Sequence, residues 1–133
     1  MLKYMLDTNI AIYVIKRRPP QMLDVFNEHA GQMSISAVTL AELIHGAEKS
    51  ERKAHNLAQV EDFASRLVVL AYHDKAAAHY GDIRADLERK GTPIGVNDLH
   101  IAGHARSEGL MLVTNNMREF ERVEGLRLEN WAT

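Results

Sequence analysis

The chain has 133 residues, 46% of them hydrophobic and 26% charged, which suits one globular domain with a proper core. No apolar run approaches the roughly 20 residues a membrane-spanning helix needs, and the absence of cysteine excludes disulfides, thiolate zinc sites and cysteine nucleophiles. A net charge of −2 offers nucleic acid no global attraction, so a polyanionic partner would have to be met by local basic patches or metal ions.

Met1 to Leu6 is almost continuously apolar and breaks abruptly into Asp7-Thr8-Asn9. This predicts a strand buried on both faces, ending in polar groups that start a helix. Asp7 then stands at a strand's C-terminal mouth, where open α/β sheets bind their ligands; capping the next helix is the competing role for Asp7, Thr8 or Asn9. No secretory pattern precedes Asp7, and the expected compartment is the cytoplasm.

A first helix carries Ile10, Ala11, Val14 and Ile15 and ends in Lys16-Arg17-Arg18 before Pro19-Pro20. The basic triplet complements a helix C-terminus and is also a candidate phosphate contact. Met22, Leu23, Phe26 and Ala30 predict a second helix closed by Gly31, followed by a strand over Met33–Ser36. The next helix has the apolar stripe Leu40, Leu43, Ile44 and Ala47, with Glu42, His45 and Lys49 on another face.

A helix with Leu57, Val60, Ala64 and Leu67 leads into a third apolar run, Leu67-Val68-Val69-Leu70, read as a buried strand. Asp74 is expected to cap a long helix striped by Ala76, Tyr80, Ile83 and Leu87, which Gly91-Thr92-Pro93 ends. Asn97-Asp98 opens a further helix through Arg106, terminated at Gly109. His100 and His104 lie four apart, a spacing compatible with a shared metal; without further ligands they read as packing or surface histidines. Leu110 to Val113 is the fourth buried run and breaks into Thr114-Asn115-Asn116, while Leu126 and Leu128 alternate with Arg127 and Glu129 as a short edge strand, and Trp131 is expected to pack on the body.

Helices alternating with buried strands imply a mainly parallel sheet between two helical layers, a three-layer α/β/α domain spanning 1–133. Asp7 and the Thr114 to Asn116 group end strands at one edge. Glu42 and Asp98 sit near the starts of helices that open toward the same edge. Carboxylates about 4 Å apart repel by roughly 4 kcal/mol per pair at an effective dielectric of 20 and so call for a proton or a cation. Oxygen ligands favour Mg²⁺ or Mn²⁺, which work with phosphates, so the inferred substrate class is a phosphodiester.

Met5-Leu6-Asp7-Thr8-Asn9, Ala41-Glu42-Leu43, Pro93-Ile94-Gly95 through Asn97-Asp98, and Leu112-Val113-Thr114-Asn115-Asn116 together resemble the ordered motifs of PIN-domain proteins. The likeness extends to the VapC-type ribonuclease toxins of type II toxin–antitoxin pairs, where Arg118-Glu119-Phe120-Glu121-Arg122 also has counterparts. The resemblance implies a homodimer that cleaves RNA with Mg²⁺ or Mn²⁺ and is held by a cognate antitoxin, with transfer RNA as the expected substrate and translation as the process stopped. Asp7, Glu42 and Asp98 match the family's acidic triad. Asn116 stands where many members carry a fourth acid, and Glu119 is the alternative source of that charge. Asp7, Asp98, Glu42, Asn116 and Glu119 are thus the expected metal ligands, and Thr8, Asn9, Lys16, Arg17, Arg18, Thr114, Arg118 and Arg122 the expected substrate contacts.

A nuclease acting on DNA would use the same carboxylates, and a non-catalytic RNA-binding module would keep the acidic rim without cleavage. A phospho-accepting receiver domain lacks its adjacent acidic pair and its lysine. Neither a nucleophile-elbow nor a phosphate-loop pattern is present.

Overall fold

A computed structural model describes residues 1–132. In chain order the elements are β1 (Tyr4–Leu6), α1 (Thr8–Lys16), α2 (Gln21–Glu28), β2 (Met33–Ser36), α3 (Ala37–Glu48), α4 (Lys53–Ser65), β3 (Val68–Leu70), α5 (Asp74–Arg89), α6 (Val96–Ser107), β4 (Met111–Val113), α7 (Met117–Phe120) and β5 (Leu128–Glu129). The strands form one sheet in the order β3-β2-β1-β4-β5, and every neighbouring pair is parallel.

Side chains alternate across a strand, so each strand feeds two cores. Tyr4 and Leu6 of β1, Met33 and Ile35 of β2 and Val113 of β4 join Ile10, Val14, Phe26, Leu43 and Phe63 on one face. Met5 and Leu112 point the other way, into Ile83, Leu87, Leu99, Ile101 and Phe120. The result is the expected three-layer α/β/α arrangement. Trp131 closes one core by packing edge-on to Tyr4, with ring centroids 5.1 Å apart, and stacking on His29 at 4.3 Å.

α5 and α6 approach unusually closely. A Cβ placed on Gly103 would lie 2.9 Å from the Tyr80 backbone nitrogen and 3.2 Å from the Ala76 carbonyl oxygen, so glycine is required there by contact. Nearby, His104 is fully buried and shares a 2.7 Å hydrogen bond between Nδ1 and the Ser36 hydroxyl. Its Nε2 has no partner of good geometry, and burial holds the ring's pKa below its usual value. His100 stacks on Tyr80 at 4.2 Å and pairs through Nδ1 with the Tyr72 hydroxyl at 2.8 Å. Both histidines are packing residues.

Several sequence expectations need correction. β3 is an edge strand, so the apolar run that read as buried leaves Val68 45% exposed. Ile44 is exposed because the inward face of α3 is the narrower i+4 row Thr39, Leu43 and Ala47. Ala30 lies past the end of α2 and is exposed. Asp74 is the first residue of α5 and makes no capping bond. α6 begins one residue early, at Val96, after an N-cap Gly95 that offers no side chain. The short α7 was not anticipated, since four residues are too few for a readable period.

Candidate active site

From β1 the chain moves through β2 to β3 on one side, then returns to place β4 and β5 on the other. β1 and β4 therefore flank a topological switch point, the crevice where open parallel sheets hold ligands. Asp7 follows β1, and its backbone N–H donates to the Val113 carbonyl at 2.9 Å. Its carboxylate accepts from the Ile10 N–H at 2.9 Å, capping α1, and also from the Thr114 hydroxyl, which follows β4. Capping and the rim position are thus combined in one side chain. Burial raises the Asp7 pKa against these hydrogen bonds, and the charge of Glu42 adds to the rise.

Glu42 lies on the second turn of α3, off its core row. One carboxylate oxygen accepts from the Thr8 hydroxyl and the other from the Asn97 side-chain amide at 3.1 Å. The Thr39 hydroxyl stands 3.2 Å from that of Thr8. Three elements therefore fix the direction of this carboxylate: α1, α3 and α6.

Asp98 sits in the first turn of α6, half-buried beside Gly95. Its pKa is pushed up to about 7 by burial first, and then by Glu119, Asp7 and Glu42. Glu119 on α7 shows the opposite balance. Burial disfavours its charge, but the Gly95 N–H at 3.1 Å, the Asn116 amide at 2.6 Å, Asp98 and the charge of Arg122 together hold its pKa below the usual value. Burial and neighbouring charge therefore favour the neutral form of Asp98, while hydrogen bonding favours the charged form of Glu119.

Asn116 and Glu119 are linked to each other: the amide of Asn116 orients the carboxylate of Glu119, and the Asn116 N–H donates to the Thr114 hydroxyl at 2.9 Å. Asn9 is exposed on α1, and Arg118 is exposed on α7 with no ion pair among the described residues. Arg122 donates to the Pro93 carbonyl at 3.1 Å. Lys16, Arg17 and Arg18 are not brought to the acidic rim; they occupy the opposite end of α1 from Asp7.

Sequence reasoning gave Thr39 no role and, while it placed Asn97 and Asn115 within its motifs, did not anticipate their contacts. Asn97 adjoins Asp98 and could have been found by asking which donor would hold Glu42. Asn115 donates to the Tyr13 hydroxyl at 2.7 Å, a contact no spacing announces.

Asp7, Glu42, Asp98 and Glu119 face one crevice, and none is ion-paired to lysine or arginine among the described residues. No group of three His, Asp or Glu side chains among those residues forms a ready-made metal cage. A cation would have to draw at least one carboxylate in from its present hydrogen bonds. The donor set nevertheless suits a hard divalent ion: the side chains offer oxygens, and burial together with the neighbouring carboxylates raises the pKa of Asp98.

The family model described as PIN domain matches residues 4–126. The chain is 63% identical to a protein named ribonuclease VapC2 from Haemophilus influenzae, over 99% of this chain and 100% of that one. Over the same shares it is 58% identical to a tRNA(fMet)-specific endonuclease VapC from Shigella flexneri. Among solved structures, it is similar to the DNA-bound VapBC of Salmonella typhimurium with a TM-score of 0.95 at 57% identity, covering 98% of this chain and 99% of that one.

Proposed function

The chain belongs to the PIN-domain family, and from that premise we propose that it is the endoribonuclease toxin of a type II toxin–antitoxin pair. It cuts structured RNA, with transfer RNA as the substrate class, and so arrests translation. The relative named for its action on tRNA(fMet) and the VapBC structures support this reading. The protein is a single nuclease domain over 1–133, works in the cytoplasm as a homodimer, and is silenced by a cognate antitoxin. No helix among the described residues is long and apolar enough to cross a membrane.

The observation that carries the proposal is the grouping near the β1/β4 switch point of four carboxylates, none of them ion-paired to lysine or arginine among the described residues, with Asp98 feeling the charges of the other three. Asp7 and Asp98 are the principal ligands for Mg²⁺ or Mn²⁺. Glu42 either joins them or orients the attacking water, and Glu119, held by Asn116, completes the acidic set. A divalent ion bound there supplies Lewis-acid polarisation of a phosphoryl oxygen and a water of lowered pKa.

The chain's own residues do the rest. Asp98, with its raised pKa, would bind a cation in its deprotonated form, its proton passing to solvent. Thr8 and Asn97 keep Glu42 aimed, so that it can accept a proton from water at a fixed angle. Thr114 stops the Asp7 carboxylate from turning away. Water attacks in line with the 3′-oxygen and the P–O3′ bond breaks, so the phosphate stays on the 5′ end of one product and the departing 3′-oxygen takes up a proton as the other product's hydroxyl.

Purified, antitoxin-free protein is incubated with total small RNA in Mg²⁺ or in EDTA, beside Asp7→Asn. Discrete cuts that need both the ion and Asp7, with 5′-phosphate ends, are expected. Ends carrying 2′,3′-cyclic phosphate, or equal cleavage by Asp7→Asn, would overturn the mechanism.

A further inference from the structure

The cations that end α1 have a partner region of their own. Lys16, Arg17 and Arg18 line a concavity of about 620 Å³ together with Arg52, His55 and Gln59, and no carboxylate borders it. Arg52 is the N-cap of α4, and His55 lies in that helix's first turn. Among the described residues, Lys16, Arg17, Arg18 and Arg52 form no ion pair. Lys53, Arg66, Arg84, Arg89, Lys90 and Arg106 all do. Four unpaired like charges around one hollow repel each other, which is the electrostatic signature of a place for an anion.

Two further observations bear on the ligand. Ile15, Lys16 and Gln59 also line a neighbouring cleft of about 330 Å³, mostly apolar along Ile12, Leu43, Ala47 and Val60, whose lining includes Glu42. Arg17 is also the only residue other than glycine with positive φ among the described residues, at 55°. It occupies the left-handed C-cap of α1, where glycine or asparagine is usual. The Arg17 and Arg18 N–H groups close the helix on the Val14 and Tyr13 carbonyls, each at 3.1 Å, which fixes where the two arginines leave it.

Resting on the ribonuclease reading above, we propose that this hollow grips backbone phosphates of the RNA one helix length from the bond that is cut, with Arg52 and His55 binding substrate alongside Lys16, Arg17 and Arg18. α1 has nine residues, so at 1.5 Å per residue the grip lies about 13 Å from Asp7. Between the hollow and Glu42 the neighbouring cleft carries no further cation, so the phosphate contacts are confined to the hollow itself. Phosphate contacts of this kind fix register and orientation and read no base.

The test uses full-length Asp7→Asn protein, which binds without cutting, titrated by fluorescence anisotropy with labelled bulk transfer RNA over a range of salt concentrations. Arg52→Gln with His55→Gln is compared with that parent. So is Arg17→Gly, which relieves the positive φ and therefore folds at least as well. Each arginine removed should weaken binding several-fold at low salt and flatten the slope of log K against log salt by roughly 0.7 to 0.9. The same affinity and slope in both variants would overturn the grip while leaving the ribonuclease reading intact. A parent that binds no transfer RNA would overturn both. Variants that keep RNA affinity and lose affinity for the cognate antitoxin would assign the hollow to a protein partner and refute the proposal.

Discussion

Replacing Asp98 by asparagine should abolish cleavage and yet stabilise the metal-free protein above neutral pH. The Asp98 carboxyl titrates at about 7 in the folded chain against its usual 3.8. Between those two values the folded state holds a proton that the unfolded state has released, so stability is lost as pH rises through this window and the loss is complete above about 7. At 1.36 kcal/mol per pK unit the full effect is about 4 kcal/mol. Water and counter-ions at the open rim reduce it to roughly 1–2 kcal/mol, a rise in Tm of about 3–8 °C for a chain of this length. Asparagine keeps the size and can still donate to Glu119, as the protonated acid does. Thermal melts of parent and Asp98→Asn in EDTA should nearly coincide at pH 4.5 and separate by that amount at pH 8, with Asp98→Asn the more stable. Mn²⁺ at pH 8 should then raise the parent's Tm more than the variant's. A variant that is no more stable than the parent at pH 8, or equally shifted at both pH values, would refute the electrostatic account of the crevice.

Three more outcomes are expected. Thr114→Val removes a hydrogen bond that opposes the burial-driven rise at Asp7, so the acid limb of the pH–rate profile should move to higher pH; an unmoved limb would show that Thr114 does not tune Asp7. Asn97→Ala frees one oxygen of Glu42 and should lower kcat about tenfold or more with little change in KM or Tm, read by single-turnover cleavage; a loss confined to KM would make Asn97 a substrate contact. Gly103→Ala forces α5 and α6 apart, since the new methyl meets the Tyr80 backbone at 2.9 Å, and should cost about 1–3 kcal/mol in urea unfolding; an unchanged midpoint would mean that the helices yield freely.

Much of the candidate site's placement was legible because its residues sit where a pattern breaks. The apolar runs ending at Leu6 and Val113 announce two strand mouths, and the first polar residues beyond them, Asp7 and Thr114, proved to be hydrogen-bonded to each other. Glu42 was readable as a charge off an apolar stripe. What the pattern could not supply was lateral order. Nothing in Val68-Val69-Leu70 distinguishes an edge strand from a central one, because burial there depends on which strand lies alongside. The basic hollow escaped notice for a similar reason. Arg52 and His55 look like ordinary members of a charged segment until the fold sets α4 against the end of α1. Asn116 was read as an alternative to Glu119 in the metal shell; that its amide donates to the Glu119 carboxylate is a contact the sequence pattern did not announce.

The hydrogen bond from Thr114 to Asp7 spans 107 positions of sequence, and β1, the central strand, pairs with β4 only after most of the chain has been synthesised. Closing so large a loop is entropically costly and slow relative to local helix formation. While the chain grows, Asp7, Glu42, Asp98 and Glu119 are scattered along it, and no partial product contains the crevice. On the ribonuclease reading, the nascent chain is therefore inactive until the last steps of folding bring the four carboxylates together.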